Sequence, residues 1–396
     1  MSPRPIEGLV LSGGVSYAAY EVGVVLALLS GRSPSSGYRP VQPSILTGTS
    51  AGAFNAAILA STPSADLLAA ARRLEQIWVA RIARQAGRQG VGVYKLRLDP
   101  SLFDPATVAR QPIRTLIEVS QDAAFLTRDF LQRALYFVSS DDPVARRLAD
   151  LVELDVFIST EPLRQLIRAS IPFANIRRSS VRLRIAATNW RTGEARIFSN
   201  PEFSDEAGDL PLLAAAAVPG IVPPVLIGGE YFVDGGIFMD TPLKPAIDGS
   251  ADILHVIWVE PEVSEIPLNR FQSSIDAALR TRNISNAANI SSDLAKAKQI
   301  NTSLTLMEKI ARGRGANVSD IHDFSTTASK IHERLLSGRR YRPLTIHCYH
   351  PREIVGGSYG IVNFDLSAIR QIIERGYADA RRHDCIASQC ILPTSS

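Results

Sequence analysis

Residues 45–53 read ILTGTSAGA, a serine between two glycines at the junction of an apolar run and an alanine-rich run. The flanking residues predict a short buried strand before the serine and a helix after it. A nucleophile on a sharp strand-to-helix turn has this Gly-x-Ser-x-Gly form, because the chain passes so close to itself that only tiny side chains fit two positions away. We therefore expect Gly48 and Gly52 to permit a turn that exposes Ser50 at a helix N-terminus. An ordinary strand–helix turn is the alternative.

The surrounding pattern extends this unit into an α/β fold. Strand, glycine loop, helix, strand, glycine turn and helix follow one another over residues 8–60, which is typical of a mostly parallel, helix-covered sheet. Further strands are predicted over 181–188, 195–198, 231–233, 253–259 and 344–349, and further helices over 67–82, 212–218, 271–310 and 366–380.

Composition places the chain among globular proteins and away from several other classes. It has 396 residues, of which 45% are hydrophobic and 21% charged, with a formal net charge of +4. No run reaches the roughly 18 apolar residues of a membrane span, and the N-terminus lacks the pattern of a secretory signal. We expect a cytoplasmic protein that visits membranes peripherally; export by a route without such a signal stays open.

Cysteines and histidines near the end of the chain raise the question of a metal site. Three cysteines are an odd number and indicate a reducing compartment rather than a disulfide scaffold. The spacings in this set match no usual zinc pattern, so buried thiols with surface histidines are the favoured interpretation and no metal is predicted. The set is His347, Cys348, His350, His383, Cys385 and Cys390.

Ser50 needs a base to take its proton, and Asp234 is the candidate. None of the six histidines stands in a recognisable context, whereas Asp234 follows a short strand and precedes Gly235 and Gly236, so little bulk surrounds it. A plain Asp-Gly turn is the alternative for this stretch.

The loop after the first strand is a candidate oxyanion site. A tetrahedral oxyanion needs backbone N–H groups that point at one spot, and Gly13, Gly14 and Val15 lie between a strand and a helix N-terminus, where such groups are available. A phosphate or dinucleotide loop is the alternative, and it is disfavoured because the Gly-x-Gly-x-x-Gly spacing is absent.

Together, three stretches resemble the patatin-like phospholipases, in their bacterial form. These stretches read LSGGVSYAAYEVGVV (11–25), GTSAGAFNA (48–56) and YFVDGGIFMDTP (231–242). The resemblance covers about residues 6–61 and 157–260, with an echo near 362–380.

The resemblance implies a three-layer α/β/α fold and a catalytic dyad of Ser50 and Asp234 without histidine. Ser50 would attack an ester of a phospholipid or lysophospholipid, and Asp234 would take its proton and later activate water against the acyl-enzyme. Backbone amides around Gly13, Gly14 and Val15 would hold the oxyanion. No metal or other cofactor and no nucleic acid is expected, a membrane surface is a transient partner, and the oligomeric state is open.

The chain departs from the family in the oxyanion loop, which usually reads Gly-Gly-Gly-x-Arg-Gly. Here Val15, Tyr17 and Ala18 replace the third glycine, the arginine and the last glycine. If position 15 needs a positive φ, a β-branched residue is a misfit. A catalytically impaired lipid-binding or regulatory module is therefore one alternative function, and an acyltransferase or thioesterase is another.

The remaining expectations concern domains. A catalytic domain is predicted over 1–263, with a helical insertion at about 64–156, followed by a mostly helical region over 264–396. The last strand and helix, about 344–380, could rejoin the main sheet. Residues 123–138 (AAFLTRDFLQRALYFV) read as an interfacial helix or a lid, with a core helix as the favoured alternative.

Overall fold

The computed structural model describes residues 4–62, 66–83, 95–96, 158–219, 221–261, 263, 274–311, 343–353, 361 and 363–392. The segment 123–138 and most of the predicted insertion lie outside these ranges. So does about half of the C-terminal region after residue 311.

Ten strands and ten α-helices are defined within these ranges. The strands are β1 (Glu7–Leu11), β2 (Pro43–Thr49), β3 (Lys95–Leu96), β4 (Ile158–Ser159), β5 (Arg182–Asn189), β6 (Ala195–Ser199), β7 (Val225–Ile227), β8 (Glu230–Asp234), β9 (Ile253–Ile257) and β10 (Thr345–Tyr349). The helices are α1 (Ala19–Leu29), α2 (Ser50–Ala60), α3 (Leu67–Ile77), α4 (Glu161–Ser170), α5 (Phe173–Arg178), α6 (Leu210–Ala215), α7 (Gly236–Met239), α8 (Leu243–Asp248), α9 (Ser274–Ala311) and α10 (Leu366–Arg381).

One mixed, mostly parallel sheet organises the chain. Its strand order is β10-β9-β1-β2-β5-β8-β7, with β6 also paired to β5. The first five strands of this order run parallel, and β6, β7 and β8 add antiparallel pairs. Because the carboxyl ends of parallel strands meet at one edge of the sheet, the turns after β1 and β2 lie side by side.

Helices cover both faces of the sheet and make three layers. On one face, α1, α2, α3, α6 and α10 bury their apolar sides in a large core. On the other face, α8 and α9 close a smaller core against β1, β9 and β10. The predicted α/β/α class is confirmed.

Helix α10 packs on α1 with almost no side chain between them. A Cβ atom on Gly23 would lie 2.5 Å from the backbone nitrogen of Tyr377, and one on Gly376 would meet the carbonyl oxygen of Tyr20. Such backbone proximity is possible only with glycine at both positions. The hydroxyl of Tyr20 adds a hydrogen bond to Asp379 (3.1 Å). The C-terminal helix is thereby fixed to the helix that follows the predicted oxyanion loop.

Most predicted elements match within a few residues, and two differ. The helix predicted over 67–82 is an α-helix to Ile77, after which the chain continues as a π-helical turn over Trp78–Ile82. The helix predicted over 212–218 ends at Ala215, because Pro219 has no N–H to donate to the carbonyl of Ala215 and its ring would clash with that carbonyl in a continued helix.

Strands from both sides of the predicted boundary at residue 263 share the sheet, since β10 pairs with β9. The division into domains stays a prediction. In the described part of the chain, no helix combines the length and the apolar character that a membrane span requires.

Candidate active site

Ser50 lies at a sharp turn between β2 and α2. Its backbone φ is 53°, in the left-handed region that non-glycine residues seldom adopt. A Cβ atom on Gly48 would lie 2.7 Å from the nitrogen of Ala53, and one on Gly52 would lie 2.6 Å from the carbonyl oxygen of Leu11. The two glycines therefore provide the space that the turn needs, and the strain falls on Ser50 itself.

The side chain of Ser50 is less open than its sequence context suggests. The residue is only 9% exposed, so the expectation of an exposed serine is wrong. The physical reason is an apolar cavity beside the turn, into which Ser50 faces and whose walls shield it from bulk water.

Asp234 approaches Ser50 across one intervening strand. In the sheet, β5 pairs Thr49 with Ala186 on one side and Asp234 with Ala187 on the other. The backbones of β2 and β8, on either side of β5, are therefore two strand spacings apart, or about 10 Å. Serine and aspartate side chains can span that distance because the intervening residues are alanines.

The carboxylate of Asp234 is buried, and one of its two oxygens accepts no hydrogen bond from the described residues. Its Oδ1 accepts a hydrogen bond from the N–H of Gly236 at 2.7 Å. The hydroxyl of Ser50 interacts with the same carboxylate and lowers its pKa. No donor among the described residues meets full hydrogen-bond geometry at Oδ2, however. Loosely aligned hydrogen bonds are usual between catalytic groups without a substrate.

Burial sets the protonation state of Asp234. Loss of solvent raises its pKa to about 6, although the Gly236 N–H, the Ser50 hydroxyl and the Arg282 guanidinium each lower it. A carboxylate with such a pKa is ionised at neutral pH and is a stronger base than an exposed aspartate.

Arg282, from the long helix α9, joins the site as a cation that the sequence pattern did not reveal. Its Nη2 lies 3.2 Å from Oδ1 of Asp240 and its Nη1 lies 2.9 Å from Oε1 of Glu260. Burial raises the pKa of both Asp240 and Glu260, the latter to about 7. A Cβ atom on Gly13 would lie 3.6 Å from Nη2, so the guanidinium borders the candidate oxyanion loop.

The candidate oxyanion loop precedes a short 3-10 turn, Val15–Ala18, and adjoins Ser50. The N–H of Gly13 already donates to the carbonyl of Asp240 at 3.2 Å, which removes Gly13 from the predicted oxyanion donors. The N–H groups of Gly14 and Val15 donate to no group within the described ranges. Val15 has a φ of 51°, so the position does require the left-handed region in which the family has glycine. A β-branched residue in that region is strained by about 1–3 kcal/mol.

Glu21, Asn55 and Trp78 form a buried hydrogen-bond network next to this loop. Asn55 of α2 donates to Oε2 of Glu21 at 2.8 Å and accepts from Nε1 of Trp78 at 2.8 Å. Burial raises the pKa of Glu21 well above its usual range. This network links α1 to α2, and it therefore holds the loop in place relative to Ser50.

An apolar cavity opens beside Ser50 and Val15. Aromatic and aliphatic side chains from several helices surround it, among them Phe54, Trp78, Leu163, Leu212 and Phe364. Such a lining suits a hydrocarbon chain rather than a polar group.

The structure thus brings together Ser50, Asp234 and the loop residues Gly14 and Val15. A Cβ atom on Gly235 would lie 3.1 Å from Cγ2 of Thr49, and one on Gly236 would lie 2.8 Å from Oδ1 of Asp234, so both glycines leave room for the carboxylate. Among the residues that the structure describes, no histidine lines the cavity or shifts the pKa of Asp234. Arg282, Asp240 and Glu260 were missed: Asp240 lies within a quoted motif, whereas Arg282 has no local signal.

Comparison with known proteins places the site within a family. The family model described as Patatin-like phospholipase matches residues 9–247. Among solved structures, VipD from Legionella pneumophila is similar, with 14% sequence identity, 94% of this chain and 67% of that chain covered, and a TM-score of 0.32. A search of curated proteins gives no match.

If Asp234 is the base for Ser50, the reactivity of Ser50 depends on pH in a definite direction. We expect labelling by a fluorophosphonate to rise as the pH increases through about 6, because the carboxylate must be ionised to accept the proton. Arg282→Gln should move the midpoint to higher pH, since the guanidinium lowers the pKa of Asp234. Labelling rates across pH measure both effects.

The control is Arg178→Gln, which removes an exposed arginine and should leave the midpoint unchanged. A midpoint that stays in place or moves to lower pH in Arg282→Gln would contradict the electrostatic role given to this residue.

Proposed function

Because the chain belongs to the patatin-like phospholipase family, a family of lipid acyl hydrolases, we propose that it is a serine acyl hydrolase of phospholipid or lysophospholipid esters that uses Ser50 and Asp234. One observation carries the proposal. A strained serine faces a buried carboxylate with an unpaired oxygen, beside an apolar cavity.

In the first step, the Ser50 hydroxyl gives its proton to Asp234 as its oxygen bonds to the ester carbonyl carbon. Negative charge then develops on the former carbonyl oxygen, where the N–H groups of Gly14 and Val15 stabilise it. The protonated Asp234 returns the proton to the departing alkoxide. The products of this half-reaction are an alcohol and an acyl group on Ser50.

In the second step, water replaces the alcohol. Asp234, ionised again, takes a proton from water as the hydroxide oxygen attacks the acyl carbon. Collapse of the tetrahedral intermediate breaks the bond to Ser50 Oγ, which recovers the proton from Asp234, and a fatty acid leaves. One carboxylate thus serves both half-reactions.

The unusual loop retains the elements that this mechanism needs. Oxyanion donors are backbone groups, so Val15 can serve in place of glycine provided that it holds the left-handed conformation, which it does. Tyr17 stands where the family has arginine, and Arg282 brings a positive charge to the same loop from α9. These features favour an active enzyme over an impaired binding module.

The apolar cavity is the proposed acyl site. It is lined by Ser50 and Val15 at the reacting end and by Phe54, Trp78 and Leu166 among others. A fatty-acyl chain bound there would bring its ester carbon to Ser50, and the burial of its methylene groups would favour long chains over short ones.

A membrane surface is the proposed source of substrate. Three exposed apolar side chains form a patch near the start of β8, with Trp190 57%, Leu226 52% and Tyr231 54% exposed. Leu226 pairs with Tyr231 across the β7–β8 hairpin, and the N–H of Trp190 donates to the carbonyl of Tyr231, so the three are neighbours. We call them the hairpin patch. Exposed aromatic side chains of this kind suit the interfacial region of a bilayer.

The central test is a lipid panel assayed with the wild type and matched variants. Ser50→Ala and Asp234→Asn should each lower fatty-acid release by roughly 10³-fold or more, because each removes a group that forms or breaks bonds. Asp248→Asn, which changes an aspartate in an ion pair with Lys244, should retain activity. Circular dichroism checks that each variant is folded.

Other outcomes of this test point to other functions. Full activity in either Ser50→Ala or Asp234→Asn would exclude the dyad. Folded wild type without fluorophosphonate labelling at Ser50 would indicate an impaired lipid-binding module. Transfer of the acyl group to an added alcohol or acyl carrier in preference to water would indicate an acyltransferase, and selective cleavage of thioesters would indicate a thioesterase.

The acyl site predicts an effect of chain length. Ala216→Phe places a ring in the cavity and should lower kcat/KM for long-chain p-nitrophenyl esters by about 10-fold or more, with little change for the acetate. Ala69→Phe on the exposed side of α3 is the control. An equal loss for short and long esters would show that the cavity does not hold the chain.

The hairpin patch predicts a separation of membrane binding from chemistry. Trp190→Ser combined with Tyr231→Ser should weaken co-sedimentation with phosphatidylcholine vesicles several-fold, because two interfacial side chains are lost, and should preserve hydrolysis of a soluble ester. Ile284→Ser on α9, where the isoleucine is 49% exposed, is the matched control. Unchanged vesicle binding in the double variant would remove the patch from the proposal.

A further inference from the structure

Four potential metal ligands converge at the sheet edge formed by β10, apart from the dyad. They are His347, His383, Cys385 and Cys390, and their ligand atoms all lie within 4.8 Å of one another. His347 and His383 are both buried, so the prediction of surface histidines is wrong for these two. Sequence spacing did not predict the cluster, because His347 lies on β10 whereas the other three ligands lie in the segment after α10.

The separations within the cluster are close to those of a tetrahedral shell. Sγ of Cys385 lies 3.5 Å from Nδ1 of His347, and Sγ of Cys390 lies 3.3 Å from Nε2 of His383. In a zinc site with Zn–N near 2.0–2.1 Å and Zn–S near 2.3 Å, neighbouring ligand atoms are about 3.3 to 3.8 Å apart. Both of these pairs already have this spacing.

The turn that carries the two cysteines is built to present both sulfurs on one side. The carboxylate of Asp384 accepts from the N–H of Ile386 at 2.8 Å, and the N–H of Cys390 donates to the carbonyl of Cys385 at 2.9 Å. The next residue forms a two-way bridge to β10, in which Ile391 and Ile346 exchange hydrogen bonds of 2.8 and 2.9 Å. Backbone bonds therefore hold the turn against the strand that carries His347.

Neighbouring groups support the ligands as they do in metal sites. The N–H of Cys348 donates to Sγ of Cys390 at 3.3 Å, a contact that favours a thiolate. The ring of His347 stacks on His255 at 5.2 Å between centroids, and the ring of His383 packs on Tyr349 at 4.5 Å. Such contacts orient imidazoles toward a shared centre.

We propose that His347, His383, Cys385 and Cys390 bind a structural zinc ion that fastens the C-terminal segment to β10. Two thiolates and two neutral imidazoles suit Zn²⁺ in donor type and number. Two thiolate charges balance the ion, so the loaded site is neutral and tolerates its largely buried position. Binding displaces the thiol protons of Cys385 and Cys390 to solvent, with no change of oxidation state.

The test measures zinc in the full-length protein after purification without chelators. We expect about one zinc per chain by mass spectrometry of the metal, and loss of that zinc in Cys385→Ser and in Cys390→Ser. His350→Asn is the matched control, since it alters a histidine outside the cluster, and it should retain the metal. Circular dichroism checks that the variants are folded.

A second measurement uses only the folded wild type and covers the case in which the cysteine variants fail to fold. A chelator should lower the Tm of the wild type by about 5 °C or more and make two further thiols reactive. Replacement of zinc by cobalt(II) should give the absorption of a tetrahedral, thiolate-ligated ion.

Three results would overturn the proposal. The first is wild type that binds no zinc even when zinc is supplied. In that case the cluster would consist of two separate thiol–imidazole hydrogen bonds, Cys385 with His347 and Cys390 with His383. The second is equal zinc content in wild type and in folded Cys385→Ser and Cys390→Ser. The third is a disulfide between Cys390 and either other cysteine in the purified protein.

Discussion

The left-handed backbone of Ser50 is the constraint on which the rest of the site depends. Residues other than glycine adopt this conformation only when the surrounding chain enforces it, and here Gly48 and Gly52 allow α2 to pack directly against β1 and β2. The turn directs the hydroxyl toward Asp234 and the cavity instead of into the sheet. Val15 repeats the same strain in the neighbouring loop. Two strained residues therefore face each other where the proposed reaction needs fixed geometry.

In the described part of the chain, the guanidinium of Arg282 is the cation that acts on the buried carboxylates of this site. Asp234, Asp240 and Glu260 all have raised pKa values because of burial, and Arg282 opposes that rise in each case. Direct ion pairs join Arg282 to Asp240 and Glu260, but its influence on Asp234 acts through space. Among the described residues, no cation pairs with Oδ2 of Asp234, which suits the carboxylate to the role of base in the proposed reaction. A direct salt bridge would hold the proton off the carboxylate and weaken it as a base.

The features that could be predicted from the sequence are those set by residues close together in the chain. Hydrophobic periodicity located the strands and helices of the sheet, and glycine positions located the turn at Ser50 and the strand end at Asp234. Features assembled from distant segments were missed. Arg282 reaches the site from a helix whose sequence has no motif, and the amide of Gly13 is occupied by a carbonyl far along the chain. The metal-ligand cluster was not predicted for a related reason. Spacing rules describe ligands that share short segments, whereas these cysteines and histidines come from two distant parts of the chain.

The proposed zinc site gives the C-terminal segment a structural connection to the active site. β10 is an edge strand, and short pairings at a sheet edge are weak without further support. A metal that joins β10 to the turn after α10 would fix the end of that helix. Since α10 packs on α1 through Gly23 and Gly376, and α1 follows directly from the turn that contains Val15, restraint at one end is transmitted to the other. A strained loop persists only when its surroundings over-determine it, and a fastened C-terminus is one source of that restraint.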